Sequence, residues 1–461
     1  MTAEMPFRAH LYSEMQIKRY IEYCTKEKYS YVHIDATGGV IKKLREQNQL
    51  LLYAILFKDG IDCINTIPLA HALLTDHTVP SIGYFLGKVA YDIHQVKNKP
   101  ILPSFFVTDF SAAMINSILQ AFNVENINNH LNRCWNTVCG KYNAKELRSL
   151  SFIHLCCCHV IHAMARSLNA ARIDKKIRRG ILHIFAFILC GNNMKELYDI
   201  LGLVINIFGD PNEQNAKEKF ERLIALELNV DQESVSILTA DKEIFQMAKE
   251  KNKELKLVDE YFRSNTPIIH QSPFNQEAIR CYPSLATLIN NKSKYNEIIN
   301  PLFSPSIIRI FYRWWAYLPL WTGLLWDFEE RYSTNGKADL SVVYSPIRHS
   351  NALIESYFRT LKGSIYNGKV NNRPAEAIIE LLRSIKAQFK ANKFGVTQSS
   401  KGRKRKKKNV VIEEKWHKKG EHQNGRGVYT KMVDKFASKR VLSKMTDAQS
   451  DEVLKKNRYI L

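Results

Sequence analysis

The chain holds 461 residues, with 67 Lys+Arg against 45 Asp+Glu for a formal charge of +22, and 45% of it is hydrophobic. That much apolar material builds a sizeable core and excludes wholesale disorder, and the length suits two or three domains or one domain with an insertion. The longest apolar run, Ile181 to Cys190, is too short to cross a bilayer, the N-terminus carries no hydrophobic signal core, and nine cysteines with three adjacent (Cys156, Cys157, Cys158) do not read as a disulfide framework. A reducing compartment and no membrane partner are therefore expected.

In chain order, Glu14 to Lys26 has helical spacing. Tyr29 to Asp35 is β-rich and runs into the turn Ala36-Thr37-Gly38-Gly39. Gln49 to Phe57 is apolar and leads to Lys58-Asp59-Gly60, a hairpin signal, and Ile64 to Leu74 reads as a third strand of an antiparallel meander. Val79 to His94 has helical period after Thr78, a plausible N-cap. Pro103 to Asp109 is a short β-rich run that again ends in Asp, Ala112 to Phe122 is helical, and Ser151 to Leu155 is a further strand. From Cys156 to about Tyr332 helical spacing takes over, in Val160–Leu168, Arg179–Cys190, Met194–Phe208 and Asn215–Leu228, and the stretch closes in Trp314, Trp315, Trp321 and Trp326. Ser350–Lys362 and Pro374–Lys390 are two more helices. The expected fold class is α/β. A helical leader (1–27) precedes a mixed-sheet core (28–162), a helical insertion (163–335), the second part of the core (336–395) and a basic, largely disordered tail (396–461).

Two aspartates sit at the ends of apolar strands, Asp35 in VHIDATGG and Asp109 in FFVTDFSAAM. A carboxylate there is costly unless compensated, and two from neighbouring strand ends suit an oxygen-seeking divalent ion such as Mg2+ or Mn2+. Either one alone reads as a turn or helix cap; the pair in this strand order favours function. A third acid is expected from a helix. In Ser350–Lys362, Leu353, Ile354, Tyr357, Phe358 and Leu361 share one face, while Asn351, Glu355, Arg359 and Lys362 line a polar stripe. Glu355 would complete a metal site and Arg359 and Lys362 would meet phosphate, or the stripe is a solvent face with a Glu355–Arg359 ion pair. Asp327, Glu329 and Glu330 are rival third acids without amide or basic partners.

Together these motifs resemble a DDE transposase of the Mutator-like group: a strand–Asp–turn, a second strand–Asp after a helix, and a late N-x-x-x-E-S-x-F-x-x-L-K helix. Asp35 and Asp109 are 74 residues apart and Asp109 and Glu355 are 246 apart. The resemblance implies a ribonuclease-H-like core with an α-helical insertion before the last acid, and the second interval has room for one. It also covers Cys156-Cys157-Cys158-His159 followed by Val160 to Arg166, similar to the group's C-x-x-H motif and its helix, with Cys156 and His159 as the motif positions. What it implies for function is cleavage and strand transfer of DNA at transposon ends and target, in the nucleus. Asp35, Asp109 and Glu355 would be both catalytic residues and ligands of Mg2+ or Mn2+, and a homo-oligomer is compatible with it. Members usually carry an N-terminal zinc-finger domain, whereas this sequence enters the core pattern almost at once, so a truncated or domesticated copy is expected. The alternative is a non-catalytic DNA-binding protein derived from a transposase.

Cys156 and His159 also have zinc-ligand spacing, but a structural site needs four ligands, and Cys134 and Cys139 would have to supply the rest. Cysteines buried as small hydrophobes are the commoner outcome. The tryptophans either stack on bases or, more commonly, fill a core. From Lys401 onward there are 19 Lys+Arg and 7 Asp+Glu, and Arg403, Lys404, Arg405, Lys406, Lys407 and Lys408 are consecutive. That run reads as a nuclear-localisation patch, a DNA-backbone contact or a solubilising tail. Deleting Lys401–Lys408 should flatten the salt dependence of DNA binding, measured by fluorescence anisotropy at several salt concentrations, because each lost phosphate contact removes about 0.9 from the log–log slope on duplex DNA. An unchanged slope would show that the run does not touch phosphate.

Overall fold

The computed structural model describes residues 7–26, 30–44, 48–58, 66–143, 146–147, 149–228, 266–290, 298–325, 351–368 and 372–393. The basic run 401–408, Trp326 and the rival acids at 327, 329 and 330 lie outside the described residues. The chain is α/β. Its elements are β1 (Arg8–Leu11), α1 (Glu14–Lys26), β2 (Tyr31–Thr37), β3 (Leu51–Lys58), β4 (Thr66–Leu74), α2 (Val79–Lys97), β5 (Phe105–Thr108), α3 (Ala112–Ile118), α4 (Ile127–Val138) and β6 (Phe152–Leu155). They continue with α5 (Cys157–Ala170), α6 (Lys175–Cys190), α7 (Met194–Gly209), α8 (Ala216–Leu228), α9 (Thr266–Gln271), α10 (Pro273–Cys281), α11 (Ser284–Asn290), α12 (Pro305–Trp315) and α13 (Leu318–Trp321). Last come α14 (Ala352–Thr360) and α15 (Pro374–Lys393). The strands form one mixed six-stranded sheet in the order β1-β4-β3-β2-β5-β6.

Two compact units can be separated. One holds the described residues of 1–109, 113–124 and 350–424, the other those of 110–112, 125–349 and 425–461. The segment 125–162, read from sequence as part of the core, therefore groups with the helical unit.

In the first unit, β2, β3 and β4 form the antiparallel meander expected from their turn signals, and β5 adds parallel to β2. Gly39 after β2 has φ +75°, a left-handed conformation that a side chain resists, which is why the strand can turn there. The alternation of strand side chains sorts the helices to two faces. Tyr53 and Phe57 of β3 face α1 and α2: Tyr23 stacks on Phe57 at 4.8 Å and Tyr20 meets it edge-on. Leu52, Ala54 and Leu56 face the other way, in one apolar cluster with Ile354 and Phe358 of α14 and Ala377, Leu381 and Ile385 of α15.

Two elements were not expected. β1 precedes α1 and pairs antiparallel with β4, Arg8 opposite Leu74 and Leu11 opposite His71. α4 occupies a segment with no assigned element, although Asn126 caps it by accepting from the Asn129 N–H at 2.9 Å.

In the second unit every described element after β6 is helical. Trp314, Trp315 and Trp321 are buried, with Phe185 stacked on Trp321 at 4.3 Å, so these three fill a core rather than offer faces to bases. Among the described residues, no helix is long and apolar enough to cross a membrane.

A buried ionic network ties α4 to the start of β6. The Glu125 carboxylate accepts from Arg133 Nε at 3.1 Å and from Arg133 Nη2, and it lies 2.8 Å from His130 Nδ1. Arg133 Nη2 also donates to the Ser151 carbonyl at 2.7 Å, and its guanidinium lies over the Phe152 ring at 4.8 Å. His130 Nε2 accepts from the Ile153 N–H at 3.4 Å, so the ring hydrogen is on Nδ1 and points to Glu125. Burial alone would raise the Glu125 carboxyl, but the bonds from His130 and Arg133 outweigh it and hold it at about 2. Burial, aided by Arg133, pulls His130 down to about 4, so the ring stays neutral at pH 7. The unfolded chain therefore binds more protons on both groups below pH 6.5, and acid removes their stabilisation, first through His130 and then through Glu125. Glu125→Ala, which strands a buried guanidinium, should cost about 3–5 kcal/mol in denaturant unfolding at pH 7 and flatten the loss of stability between pH 5 and pH 3. A cost below 1 kcal/mol would mean that the network holds nothing together.

Candidate functional site

In the first unit Asp35 lies in β2 and Asp109 directly follows β5, the parallel neighbour of β2. β2 and β5 run parallel with Tyr31 opposite Phe105, Val32 opposite Phe106 and His33 opposite Val107. The pairing ends at His33–Val107 and β5 at Thr108; continued by two positions, the register would bring the backbone of Asp109 opposite that of Asp35, one strand spacing or about 5 Å away. Asp35 is also paired with Ala54 of β3, and Ala54 with His71 of β4. Directly opposed residues share a face. Asp35, Ala54 and His71 therefore form a row across the sheet on the side that carries α14. Asp35 Oδ1 accepts the Ala36 N–H at 2.7 Å, and Thr108 Oγ1 lies 3.5 Å from Asp109 Oδ1.

Glu355 lies in the first turn of α14, half-buried. Its carboxylate makes no ion pair or side-chain hydrogen bond among the described residues, so the Glu355–Arg359 pair of an ordinary solvent face is absent. Ile354, Phe358 and Leu361 are buried and hold the helix on the sheet, as their spacing predicts. Asn351 departs from the expected polar stripe: it is fully buried at the N-cap of α14, where its carbonyl accepts the Glu355 N–H at 2.8 Å. Arg359 is exposed. Beyond α14 the backbone widens into a π-turn, Leu361–Ile365, and Lys362 Nζ donates to Thr37 Oγ1 at 2.7 Å, two residues past Asp35. One of the two expected phosphate-binding cations is thus at the end of the aspartate strand.

A further acid at this edge escaped the sequence reading. Asp76 follows β4, and its Oδ2 accepts from the hydroxyls of Thr78 at 2.7 Å and Ser81 at 2.6 Å, while its Oδ1 is buried with no hydrogen-bond partner among the described residues. Tyr53, fully buried on the opposite face, hydrogen-bonds His77 Nδ1 at 2.6 Å. Burial chiefly, and then the negative charge of Asp109, Asp76 and Asp35, push its hydroxyl far above the usual tyrosine range. All three aspartates therefore lie near enough to the Tyr53 hydroxyl for their charge to act on it. The donor set there is carboxylate oxygen, which suits Mg2+ or Mn2+ rather than a soft ion. Among the described residues, no three His, Cys, Asp or Glu side chains already stand as a ligand group around a common point.

In the second unit, Cys156 is fully buried and precedes α5, its carbonyl accepting the Val160 N–H at 3.0 Å, while His159 is half-buried on the first turn. Cys157 Sγ lies 3.9 Å from His154 Nε2, and burial pushes the Cys157 thiol well up, away from the thiolate form that binds metals. Cys134 is buried in α4, whereas Cys139 is exposed.

No protein-family model matches the chain. No curated protein matches it either.

Opposed carboxylates repel, so Asp35→Asn should stabilise the metal-free chain by roughly 1 kcal/mol in denaturant unfolding and reduce any stabilisation that added Mg2+ gives the wild type. A variant less stable than wild type in chelator would contradict carboxylate crowding at this edge.

Proposed function

We propose that the chain is a DDE-type DNA transposase or a domesticated derivative of one, with a ribonuclease-H-like core, acting on DNA phosphodiesters through Asp35, Asp109 and Glu355. The observation that carries this reading is the parallel β2–β5 pairing, which, continued past His33–Val107, would bring two aspartates 74 residues apart opposite one another. The seating of Glu355 on the helix packed over that face adds to it. The resemblance to the Mutator-like group supports the same three acids, and the charge of +22 suits a polyanionic partner.

Asp35 and Asp109, with Glu355 as the third carboxylate, would hold Mg2+ or Mn2+, which supplies an activated oxygen nucleophile and neutralises phosphate charge in an in-line displacement. The protein's own part is placement. The sheet would hold the two carboxylates on or beside its strands, so little ordering cost would remain when DNA arrives. Glu355 enters from a helix whose apolar face seats it on the sheet. Arg359, exposed one turn further on, and Lys362 at the end of β2 would take the phosphate backbone and set its register without reading sequence. The nuclear destination of the basic run belongs to the same proposal.

A metal-dependent nicking assay on supercoiled DNA tests the proposal. Wild-type chain should nick with Mg2+ or Mn2+ and not in chelator. Asp109→Asn should lower the rate at least a hundredfold while binding DNA and unfolding like wild type. DNA binding without nicking, unchanged by Asp109→Asn, would instead favour the non-catalytic DNA-binding reading.

A further inference from the structure

The apolar interface beneath α14 contains one polar pair that the proposed chemistry does not use. Ile354, Phe358 and Leu361 rest in a cluster with Leu52, Ala54 and Leu56, all buried. Apolar contacts of this kind are non-directional, so a helix can shift or rotate on them at little cost. Within this surface His71 of β4 is fully buried, and its Nε2 lies 2.8 Å from the Tyr357 hydroxyl, with the rings stacked at 5.7 Å. A hydrogen bond is directional and is satisfied in only one alignment of helix and sheet. The pair also carries a cost, because His71 Nδ1 is buried without a hydrogen-bond partner among the described residues. Two apolar side chains of the same shape would not carry that cost. Burial holds the ring neutral at pH 7, with its pKa lowered to about 3.

The location of the pair gives it a role. His71 stands opposite Ala54, and Ala54 opposite Asp35, so His71 and Asp35 are two strands apart in one row, about 10 Å. Ala54 between them presents only a methyl group, which leaves room for α14 to cross above. Tyr357 meets the His71 end of that row, and Glu355 is two residues earlier on the same helix. Lys362, bonded to Thr37, pins the far end of the segment to β2. A helix fixed at both points can neither slide nor turn on the sheet, which also fixes where Glu355 stands.

We propose that the His71–Tyr357 hydrogen bond is a positioning device that sets the register of α14 on the sheet and so delivers Glu355 to Asp35 and Asp109. This rests on the reading of Glu355 as the third metal ligand. A buried polar pair that selects one alignment of an otherwise apolar interface is the best-attested use of such pairs.

The test is Mn2+ titration calorimetry on the full metal-free chain, with thermal unfolding in chelator alongside. Tyr357→Phe keeps the ring and removes only the hydroxyl. It should weaken Mn2+ binding about tenfold or more, the usual scale for a group that orients a ligand, with no fall in the unfolding temperature. In a Glu355→Gln background the same change should have no further effect, since the ligand it positions is gone. His71→Gln, which retains a hydrogen-bonding group, should bind Mn2+ more tightly than His71→Leu, and this comparison serves if Tyr357→Phe does not fold. Wild-type Mn2+ affinity in Tyr357→Phe, while Glu355→Gln binds weakly, would overturn this inference alone. So would a loss that adds in full to that of Glu355→Gln. Absence of Mn2+ binding by the wild type would overturn it together with the metal-site reading.

Discussion

Asp35 lies in β2 and Asp109 directly follows its parallel neighbour β5, and if their pairing continues two positions past His33–Val107 the two carboxylates stand one strand spacing apart, about 5 Å between backbones, and repel. Apolar burial elsewhere in the unit has to hold that edge closed. Val32, Ile34, Phe105, Phe106 and Val107 are buried just upstream and do so. Asp76, with one oxygen engaged by two hydroxyls and the other without a hydrogen-bond partner among the described residues, adds a third charge acting on Tyr53. Natural sequences keep such local conflicts chiefly where chemistry needs them.

The remaining parts of the first unit serve that edge in two ways. α1 and α2 cover one face, where Tyr20 and Tyr23 pack on Phe57, and leave the opposite face to α14 and α15. On that second face the apolar cluster supplies adhesion and the polar contacts supply alignment: Tyr357 with His71, and Lys362 with Thr37. The second unit has its own logic. Its aromatic core around Phe185, Trp314 and Trp321 is apolar, while the Glu125–His130–Arg133 network fixes the entry to β6 by charge.

The meander and its flanking helices were legible because each strand is apolar, ends in a turn signal and has neighbours of contrasting period. β1 was not, since Arg8-Ala9-His10-Leu11 is a short edge strand whose pairing with β4 depends on tertiary contact. α4 was missed because Asn128, Asn129, Asn132 and Asn136 dilute its apolar face. Asp35, Asp109 and Glu355 are candidates from local pattern alone, but the parallel pairing that makes β2 and β5 neighbours is a property of the fold that local pattern does not carry. Asp76 gave no signal, because it follows an apolar strand without the small residues that drew attention to the other two. Asn351 looked polar and exposed by helical spacing, yet it lies at the buried N-cap of α14, where helix periodicity no longer predicts exposure. The tryptophans went to the core, as their size favours.

The central claim is that Asp35, Asp109 and Glu355 converge on a shared divalent cation. Crystals of the full chain grown with Mn2+ and measured at the manganese absorption edge test it most directly. The account predicts an anomalous peak within about 2.0–2.3 Å of carboxylate oxygens from Asp35 and Asp109, with Glu355 turned toward it. A map with no peak at that edge at saturating Mn2+, or a Mn2+ ion bound with Glu355 directed away into solvent, would contradict it.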